Sequence, residues 1–390
     1  MPISSSTIYL DHGATTPMDP RVLEAMQPFF REDFGNPVSV HSFGQSAEAA
    51  MEDARQRFAK QLNARPEEII FTSGGTESDN LALRGVAFAA RKNRGANHIL
   101  ISAVEHDAVA RTAEQLAEIH DFEIELIPVD VYGQVQPADV ASRIRSDTAI
   151  VSIVLANNEV GTINPLREIA AICRQHSVPL HSDAVQAGAY LSIDMQDLGA
   201  DMLSLGAHKF YGPKGAGVLY LRQGTNLLPI QTGGGHEHGL RAGTQNTAYI
   251  AAMALAYEIV QFDIEERAKQ LQELRDQIID RVLATVPDAK LSGHPTERLP
   301  NHASFAFKGV DGNALLMLLD SSGFACSSGS ACKTGDPEPS EILTAMGLER
   351  DWALGSLRVT VGVHSNPEEI DTFLKALPDI VEKTRALELA

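Results

Sequence analysis

The stretch "DMLSLGAHKFYGPKGAGVLYLR", residues 201–222, contains two short apolar runs with a lysine between them. Lys209 directly follows the first strand-like run, and aromatic, glycine and proline residues come next. Open α/β sheets bind their ligands at the C-terminal ends of strands, which is where this lysine is expected to lie. A lysine after a strand is by itself most often an ordinary surface residue, so its role depends on the rest of the chain.

Short apolar runs alternate with amphipathic helical patterns from about residue 69 to about residue 222. Helical stretches such as "TESDNLALRGVAFAARK" have apolar residues at three- and four-residue spacing. Strands buried on both faces and separated by helices are typical of a mostly parallel α/β sheet. The strand-like runs predict a seven-stranded sheet flanked by helices, with strands at residues 67–73, 98–103, 122–129, 149–156, 178–184, 201–207 and 217–222.

The pattern changes after Ala251, where a long helix-rich stretch continues to about Val286. Beyond it, the strand-like runs "ASFAFKGV" and "GSLRVTVG" alternate with helices. This pattern predicts a smaller C-terminal α+β domain joined to the sheet by the long helix. We expect a large domain over residues 16–255, and a small domain formed by residues 1–15 and 256–390.

Composition and charge limit the classes of function. With 390 residues and 44% hydrophobic content, the chain can bury a large core. Its 32 basic and 51 acidic residues give a formal charge of −19, which argues against a broad nucleic-acid or membrane surface. Three cysteines are too few for a disulfide framework and favour a reducing compartment. Without a signal-peptide pattern or a long apolar span, we expect a soluble cytoplasmic protein.

A lysine at the end of a strand could form a Schiff base with pyridoxal phosphate, and two further motifs would suit that cofactor. Asp183 in "HSDAVQ" ends a strand-like run, where an acid could keep the cofactor's ring nitrogen protonated. In "FTSGGTESDN", a strand is followed by Gly74, Gly75 and a helix start, which can cradle a phosphate. Lys209 would then form the Schiff base. Taken singly, the aspartate could be a helix cap and the glycines a simple turn.

An ordered series of motifs carries a resemblance to a known family. "YLDHGATTP", "FGNPVSVHSFG", "FTSGGTESDN", "VEHDAV", "NNEVGTINP", "HSDAVQ", "AHKFYGPKG", "GGGHEHGLRAGT", "SSGSAC" and "LRVTVG" follow one another along the chain. The sequence resembles cysteine desulfurases of the IscS/NifS type, which are fold-type I pyridoxal-phosphate enzymes of the class V aminotransferase group. The resemblance extends from about Tyr9 to Gly362. It implies conversion of L-cysteine to L-alanine by a homodimer.

The resemblance also implies roles for the residues around the cofactor ring. Lys209 matches the Schiff-base lysine, and His106 matches a histidine that stacks on the ring and exchanges a proton with the substrate sulfur. Asp183 matches the partner of the ring nitrogen. Gln186 and Asn158 match side chains that hydrogen-bond the ring's phenolic oxygen or its vicinity. Without the family context, His106 reads more simply as a core histidine.

The phosphate site is implied by the same comparison. Gly75, Thr76 and His208 match residues that bind the phosphate within one chain. Thr244 matches a threonine that reaches the phosphate from the neighbouring subunit, which implies a dimer with shared active sites. The family usually has a serine three residues before the lysine, and this chain has Gly206 there. One hydroxyl contact with the phosphate is therefore lost.

The sulfur-transfer residues are implied by two other motifs. Arg358 matches the arginine that binds the substrate carboxylate, a task suited to its bidentate fork, and Asn36 is expected to help it. Cys332, in the polar loop "CSSGSACKTGDPEPS", matches the nucleophile that receives the sulfur as a persulfide. Sulfur would then pass to acceptor proteins, an iron–sulfur scaffold among the candidates, for iron–sulfur cluster, thio-cofactor or tRNA biosynthesis.

The remaining cysteines and histidines predict no metal site. Cys326 is interpreted as a small, buried apolar residue rather than a resolving or metal-binding thiol, and Cys173 as a core residue. The "HEH" at residues 236–238 lacks the helical spacing of a zinc motif. Four alternatives stay open at this stage: a selenocysteine lyase, a cystine C–S lyase, a class V aminotransferase, and a non-catalytic scaffold with the same fold.

Overall fold

The computed structural model describes residues 7–329 and 338–388. Its strands are β1 (Ile8–Tyr9), β2 (Ile69–Thr72), β3 (His98–Ser102), β4 (Glu123–Ile127), β5 (Thr148–Ser152), β6 (Leu180–Asp183), β7 (Met202–Gly206), β8 (Gly217–Leu221), β9 (Ala289–Leu291), β10 (His302–Phe307), β11 (Phe324–Ala325) and β12 (Ser356–Thr360). Each of the seven strands predicted between residues 67 and 222 is present, one to three residues shorter than its apolar run.

Helices cover most of the remaining chain. They are α1 (Pro20–Met26), α2 (Ser42–Gln61), α3 (Gly75–Arg94), α4 (Asp107–His120), α5 (Pro137–Arg143), α6 (Leu166–Gln175), α7 (Met195–Leu198), α8 (Thr247–Phe262), α9 (Ile264–Thr285), α10 (Gly312–Ser321), α11 (Glu341–Ala345), α12 (Arg350–Ala353) and α13 (Pro367–Glu388). Short 3-10 turns occur at Gln27–Phe30, Pro66–Glu68, Ala207–Lys209 and Glu237–Gly239. Among these helices, none has the length and apolar character needed to cross a bilayer.

The central sheet has seven strands in the order β2-β8-β7-β6-β5-β3-β4. Strand β8 runs antiparallel to both of its neighbours, and the other adjacent pairs are parallel. Every residue of β3, β5, β6 and β7 is buried, because helices cover both faces of the sheet. The predicted α/β class and the mostly parallel seven-stranded sheet are confirmed.

Two smaller sheets use the C-terminal part of the chain. Strands β12, β10 and β9 form an antiparallel sheet, and β1 pairs in parallel with β11. The main apolar core is continuous between the central sheet and the three-stranded sheet, since Phe71 and Phe305 belong to the same cluster. Cys173 is buried in that cluster, as predicted. The division at residues 15 and 255 stays a prediction.

The long helical stretch after Ala251 differs from the prediction of one helix. Helices α8 and α9 meet at Asp263, whose backbone angles of φ −127° and ψ 31° are not helical. The Asp263 carboxylate accepts a hydrogen bond of 2.5 Å from Arg267, and the same guanidinium donates to the Val260 carbonyl. Arg267 thus satisfies the Val260 carbonyl, which a continuous helix would have paired with a backbone amide.

A buried ion pair ties the glycine-rich segment 233–243 to the central sheet. Arg55 on α2 donates to both carboxylate oxygens of Glu237, at 2.9 and 3.1 Å. Glu237 also accepts from the Phe71 amide and from Gln245, each at 2.9 Å. Its side chain is fully buried, so the charge depends on these donors.

We predict that Arg55→Ala lowers the free energy of unfolding by about 3–5 kcal/mol, because it leaves the Glu237 carboxylate buried without a cation. The matched control is Arg57→Ala, two residues along the same helix, where the exposed pairs with Asp53 and Glu258 are expected to contribute less than about 1 kcal/mol. Urea unfolding followed by circular dichroism measures both. Equal losses for the two variants would contradict the assignment.

Candidate active site

A cavity of about 260 Å³ lies at the C-terminal ends of the central strands, beside the start of α3. It brings together residues from distant parts of the chain, as expected where parallel strands end at one edge of a sheet. The sequence-predicted residues on its walls are Gly75, Thr76, His106, Asn158, Asp183, Gln186, His208, Lys209 and Arg358.

Lys209 lies in the 3-10 turn that follows β7. Its Nζ donates to the carbonyl oxygens of Gly13 at 2.6 Å and Ala14 at 2.7 Å. Burial, helped by the positive charge of Arg358, lowers the pKa of Lys209 to about 8. A lysine with this pKa has a neutral, nucleophilic amine available near neutral pH.

Asp183 is the last residue of β6 and is buried. Its Oδ1 accepts a hydrogen bond of 2.8 Å from the amide of Val185, which fixes the carboxylate. Burial raises the pKa of Asp183, whereas the hydrogen bond from the Val185 amide and the positive charge of Lys209 lower it. A ligand in the cavity with a cationic ring nitrogen beside Asp183 would favour the carboxylate form, since an opposite charge offsets the cost of burial.

His106 precedes α4 and caps its first turn. Its Nδ1 accepts from the amide of Ala108 at 3.0 Å. A neutral imidazole that accepts at Nδ1 carries its proton on Nε2, so the ring has one transferable proton left. A hydrogen bond also fixes Gln186, whose Nε2 donates to the Gly13 carbonyl at 2.8 Å.

The start of α3 forms an anion cradle. Its N-cap, Gly74, provides no side-chain hydrogen bond, so the amides of the first turn remain available to a phosphate. The backbone packs too closely for side chains here, because a Cβ at Gly75 would lie 2.5 Å from Val185 Cγ2. Burial and the charge of Lys209 lower the pKa of His208 to about 4, which leaves its imidazole neutral and able to donate.

Arg358 enters the cavity from β12. It forms an ion pair of 2.9 Å with Asp11 and donates to the Asn158 carbonyl at 2.9 Å. Among the described residues, three buried atoms on these walls have no hydrogen-bond partner: Arg358 Nε, Asn158 Oδ1 and Asp79 Oδ1. A polar ligand in the cavity would supply partners, as buried polar groups require.

Two of the described site residues, Thr244 and Asn36, do not line this cavity. Thr244 lies at a separate cavity of about 170 Å³. Asn36 is exposed, and its Oδ1 accepts from the amide of Val38 at 3.2 Å. Cys332 falls outside the described residues. The roles expected of all three stay predictions. Cys326, by contrast, packs against the main core, and burial raises the pKa of its thiol.

Two buried acids near Asp183 were missed from the sequence. Asp79 lines the cavity, and both burial and the nearby Asp183 raise its pKa. Burial raises the pKa of Glu105 to about 8. The signal for Asp79 was its helical spacing, because it lies four residues after Gly75 and therefore on the same face of α3.

Comparisons with known proteins agree with this geometry. Residues 8–373 match the family model described as Aminotransferase class-V. The chain therefore belongs to the class V aminotransferase family, a class of pyridoxal-phosphate enzymes.

Individual relatives narrow the class. A protein named cysteine desulfurase IscS from Dictyoglomus turgidum is 44% identical over 380 residues, covering 97% of this chain and 96% of that relative. A protein of the same name from Methanosarcina thermophila is 43% identical, covering 98% of this chain and 93% of that relative.

Of the solved structures, one titled NifS-like protein has a TM-score of 0.90 at 37% identity and covers 97% of this chain and 100% of its own. Another, titled SspA in complex with cysteine, has a TM-score of 0.79 at 33% identity and covers 91% and 99%. This chain belongs to the cysteine desulfurase family.

Pyridoxal phosphate is the cofactor of this family, and the residues present fit it. Lys209 provides an amine of low pKa, Asp183 a buried acid, and the start of α3 an anion cradle. The chain keeps the polar set that the cofactor needs in one cavity.

We predict that Gly206→Ser strengthens pyridoxal phosphate binding about fivefold, which corresponds to about 1 kcal/mol for one added hydrogen bond. A Cβ at this position would lie 3.4 Å from Val185 Cγ1 and 3.5 Å from the Gly75 amide nitrogen, which are ordinary contacts. The added hydroxyl would lie beside the anion cradle. Absorbance titration of the cofactor-free protein measures the change.

The control for this substitution is Gly217→Ser, on the neighbouring strand. A Cβ there would lie 2.6 Å from Gly74 Cα, so we expect weaker cofactor binding. If Gly206→Ser binds the cofactor no more tightly than the unchanged protein, the hydroxyl does not compensate for the missing family contact.

We predict that cofactor loading depends on pH through Lys209. Because the folded protein lowers the pKa of Lys209 to about 8, the reactive neutral amine increases as pH rises to about 8 and changes little above it. The measurement is the rate of Schiff-base formation divided, at each pH, by the rate for a free lysine derivative with a pKa near 10.4. We expect this ratio to fall between pH 9 and pH 10, and a ratio that stays level would contradict a lowered pKa.

Proposed function

We propose that this chain converts L-cysteine to L-alanine and transfers the sulfur to Cys332. The observation that carries the proposal is the convergence of Lys209, Asp183 and Arg358 on one cavity. The family supplies the reaction, and the cysteine complex of a structural neighbour supports the substrate. Bound pyridoxal phosphate withdraws electrons from the substrate's α-carbon.

The roles at the reacting atoms follow from chemistry and pKa. Lys209 removes the α-proton, a task for which a pKa of about 8 is well matched. Asp183 holds the proton at the cofactor's ring nitrogen. His106, with its proton on Nε2, exchanges a proton with the substrate sulfur.

Binding of substrate and cofactor is assigned to the remaining residues. Arg358 binds the substrate carboxylate through the face that is not used by Asp11, and Asn36 assists it. The phosphate is held by the start of α3 with His208.

Sulfur leaves the substrate as a persulfide on Cys332. The Cys332 thiolate attacks the substrate sulfur, the carbon–sulfur bond breaks, and the former β-carbon gains a proton. One cysteine and one enzyme thiol therefore give one alanine and one enzyme persulfide, so atoms and electrons balance. The persulfide then donates its outer sulfur to an acceptor protein, for iron–sulfur clusters, thio-cofactors or modified tRNA.

A homodimer is proposed on two observations. Thr244 lies away from the cavity of its own chain, which is compatible with a contact to the partner's phosphate. Near Asn36, the side chains of Phe34, Val38 and Val40 are 64%, 64% and 90% exposed. Apolar side chains exposed this strongly and this close together are typical of an interface between subunits. A dimer would bring Asn36 towards a site.

A cytoplasmic location is proposed because a working thiol and a persulfide require a reducing compartment. The described Cys173 and Cys326 are both free thiols, which is compatible with that location.

We predict that Cys332→Ser lowers alanine formation from L-cysteine by at least about 100-fold, because serine cannot accept the sulfur. The visible absorbance of the bound cofactor and its change on adding L-cysteine are expected to persist, since Lys209 and Asp183 are unchanged. Alanine assays and absorbance spectra of the purified dimer measure both.

Three other results would contradict this function. Sulfur release from cystine that persists in Cys332→Ser, without alanine formation, would indicate a cystine C–S lyase. Loss with L-cysteine but retention with selenocysteine would indicate a selenocysteine lyase. Efficient amino transfer to a keto acid, independent of Cys332, would indicate an aminotransferase.

A further inference from the structure

Glu159 is a buried acid that the reaction described above does not use. It belongs to the turn Asn157–Val160, whose amides at Glu159 and Val160 both donate to Asn157 Oδ1 at 2.9 Å. Asn157 Nδ2 donates in turn to the Val104 carbonyl at 2.9 Å. The backbone of the turn is therefore fixed to the end of the central sheet.

The neighbouring peptide of this turn holds the substrate-binding arginine. The Asn158 carbonyl accepts from Arg358 Nη1 at 2.9 Å and from His302 Nε2 at 3.2 Å. The Glu159 carbonyl accepts from Ser304 Oγ. Both β10 and β12 are thus joined to the turn that carries Glu159.

The Glu159 side chain contacts the chain on both sides of the segment that contains Cys332. Its Oε2 accepts a hydrogen bond of 2.5 Å from Ser340 Oγ, and Ser340 caps α11. On the other side, a Cβ at Gly329 would lie 2.2 Å from the same Oε2. The carboxylate therefore lies directly against the Gly329 backbone, and a side chain at position 329 would displace it.

Groups around the Glu159 carboxyl shift its pKa in opposite directions. Burial raises the pKa of Glu159 to about 7, with smaller contributions from Asp107 and Glu341, whereas the Ser340 hydrogen bond and Arg358 lower it. Glu159 lines a groove beside α4 that adjoins the cofactor cavity at His106 and Asn158. It is not among the described residues that line the cavity itself.

We propose that Glu159 is a positioning residue for sulfur transfer, because it joins Gly329 and Ser340, on either side of the Cys332 segment, to the peptide that holds Arg358. The inference rests on the proposed role of Cys332. Fixing the residues on both sides of a nucleophile's segment lowers the entropic cost of bringing that nucleophile to its substrate. Steps that involve only Lys209 and the cofactor do not need this contact.

The experiment separates these two stages of the reaction in the cofactor-loaded dimer. Glu159→Ala removes the carboxylate, and Gly329→Ala displaces it from the opposite side. Glu159→Gln is the conservative variant, since its amide oxygen can still accept from Ser340. The matched control is Glu114→Gln, because Glu114 lines the same groove but pairs with Arg111 on its own helix.

Two quantities are measured for each variant: the rate of the cofactor absorbance change on adding L-cysteine, and single-turnover formation of alanine. For Glu159→Ala and Gly329→Ala, we expect the absorbance rate to stay within about twofold and alanine formation to fall at least about tenfold. Glu159→Gln is expected to recover most of this loss, and Glu114→Gln to show none.

Either of two results would overturn the positioning role. Unchanged alanine formation in Glu159→Ala would show that the contact is not needed, and a parallel fall of both rates would show a general structural role. The proposed function itself is tested separately, by Cys332→Ser in a protein that keeps Glu159. If that variant still forms alanine, Cys332 is not the sulfur acceptor, whatever the Glu159 variants do.

Discussion

The buried carboxylate of Asp183 is the constraint on which the rest of the site depends. An acid so deeply buried at the end of a parallel strand is stable as an anion only beside a cation or several donors. In this chain, the Val185 amide supplies one donor, and the cofactor's ring nitrogen would supply the cation. The site therefore favours a ligand that places a protonated, cationic group next to the Asp183 carboxylate.

The N-terminal segment connects this edge of the sheet to the C-terminal part of the chain. The carbonyls of Gly13 and Ala14 accept from Lys209, and Asp11 pairs with Arg358. Strand β1, just before them, pairs with β11, which precedes the Cys332 segment. Lys209, Arg358 and the strand that precedes the Cys332 segment are consequently linked through a few residues near the start of the chain.

Much of the fold could be predicted because its signals are local. Seven apolar runs became the seven strands of the central sheet, since strands buried on both faces need continuous apolar sequence. The sheet order, with β8 inserted antiparallel between β2 and β7, depends on packing between distant segments and was not predicted. The break at Asp263 was also missed, because a single polar residue does not interrupt the helical pattern on either side.

For the site, the sequence by itself determined which residues are the candidates for the chemistry: Lys209, Asp183 and the glycine-rich start of α3 lie at strand ends, and strand ends meet at one edge. Only the tertiary structure decided which groups surround them. The buried neighbours Asp79 and Glu105, the carbonyls that hold Lys209, and the contact of Glu159 with Gly329 and Ser340 join segments far apart in the chain. Such contacts depend on how elements pack in three dimensions, which spacing along one element does not encode.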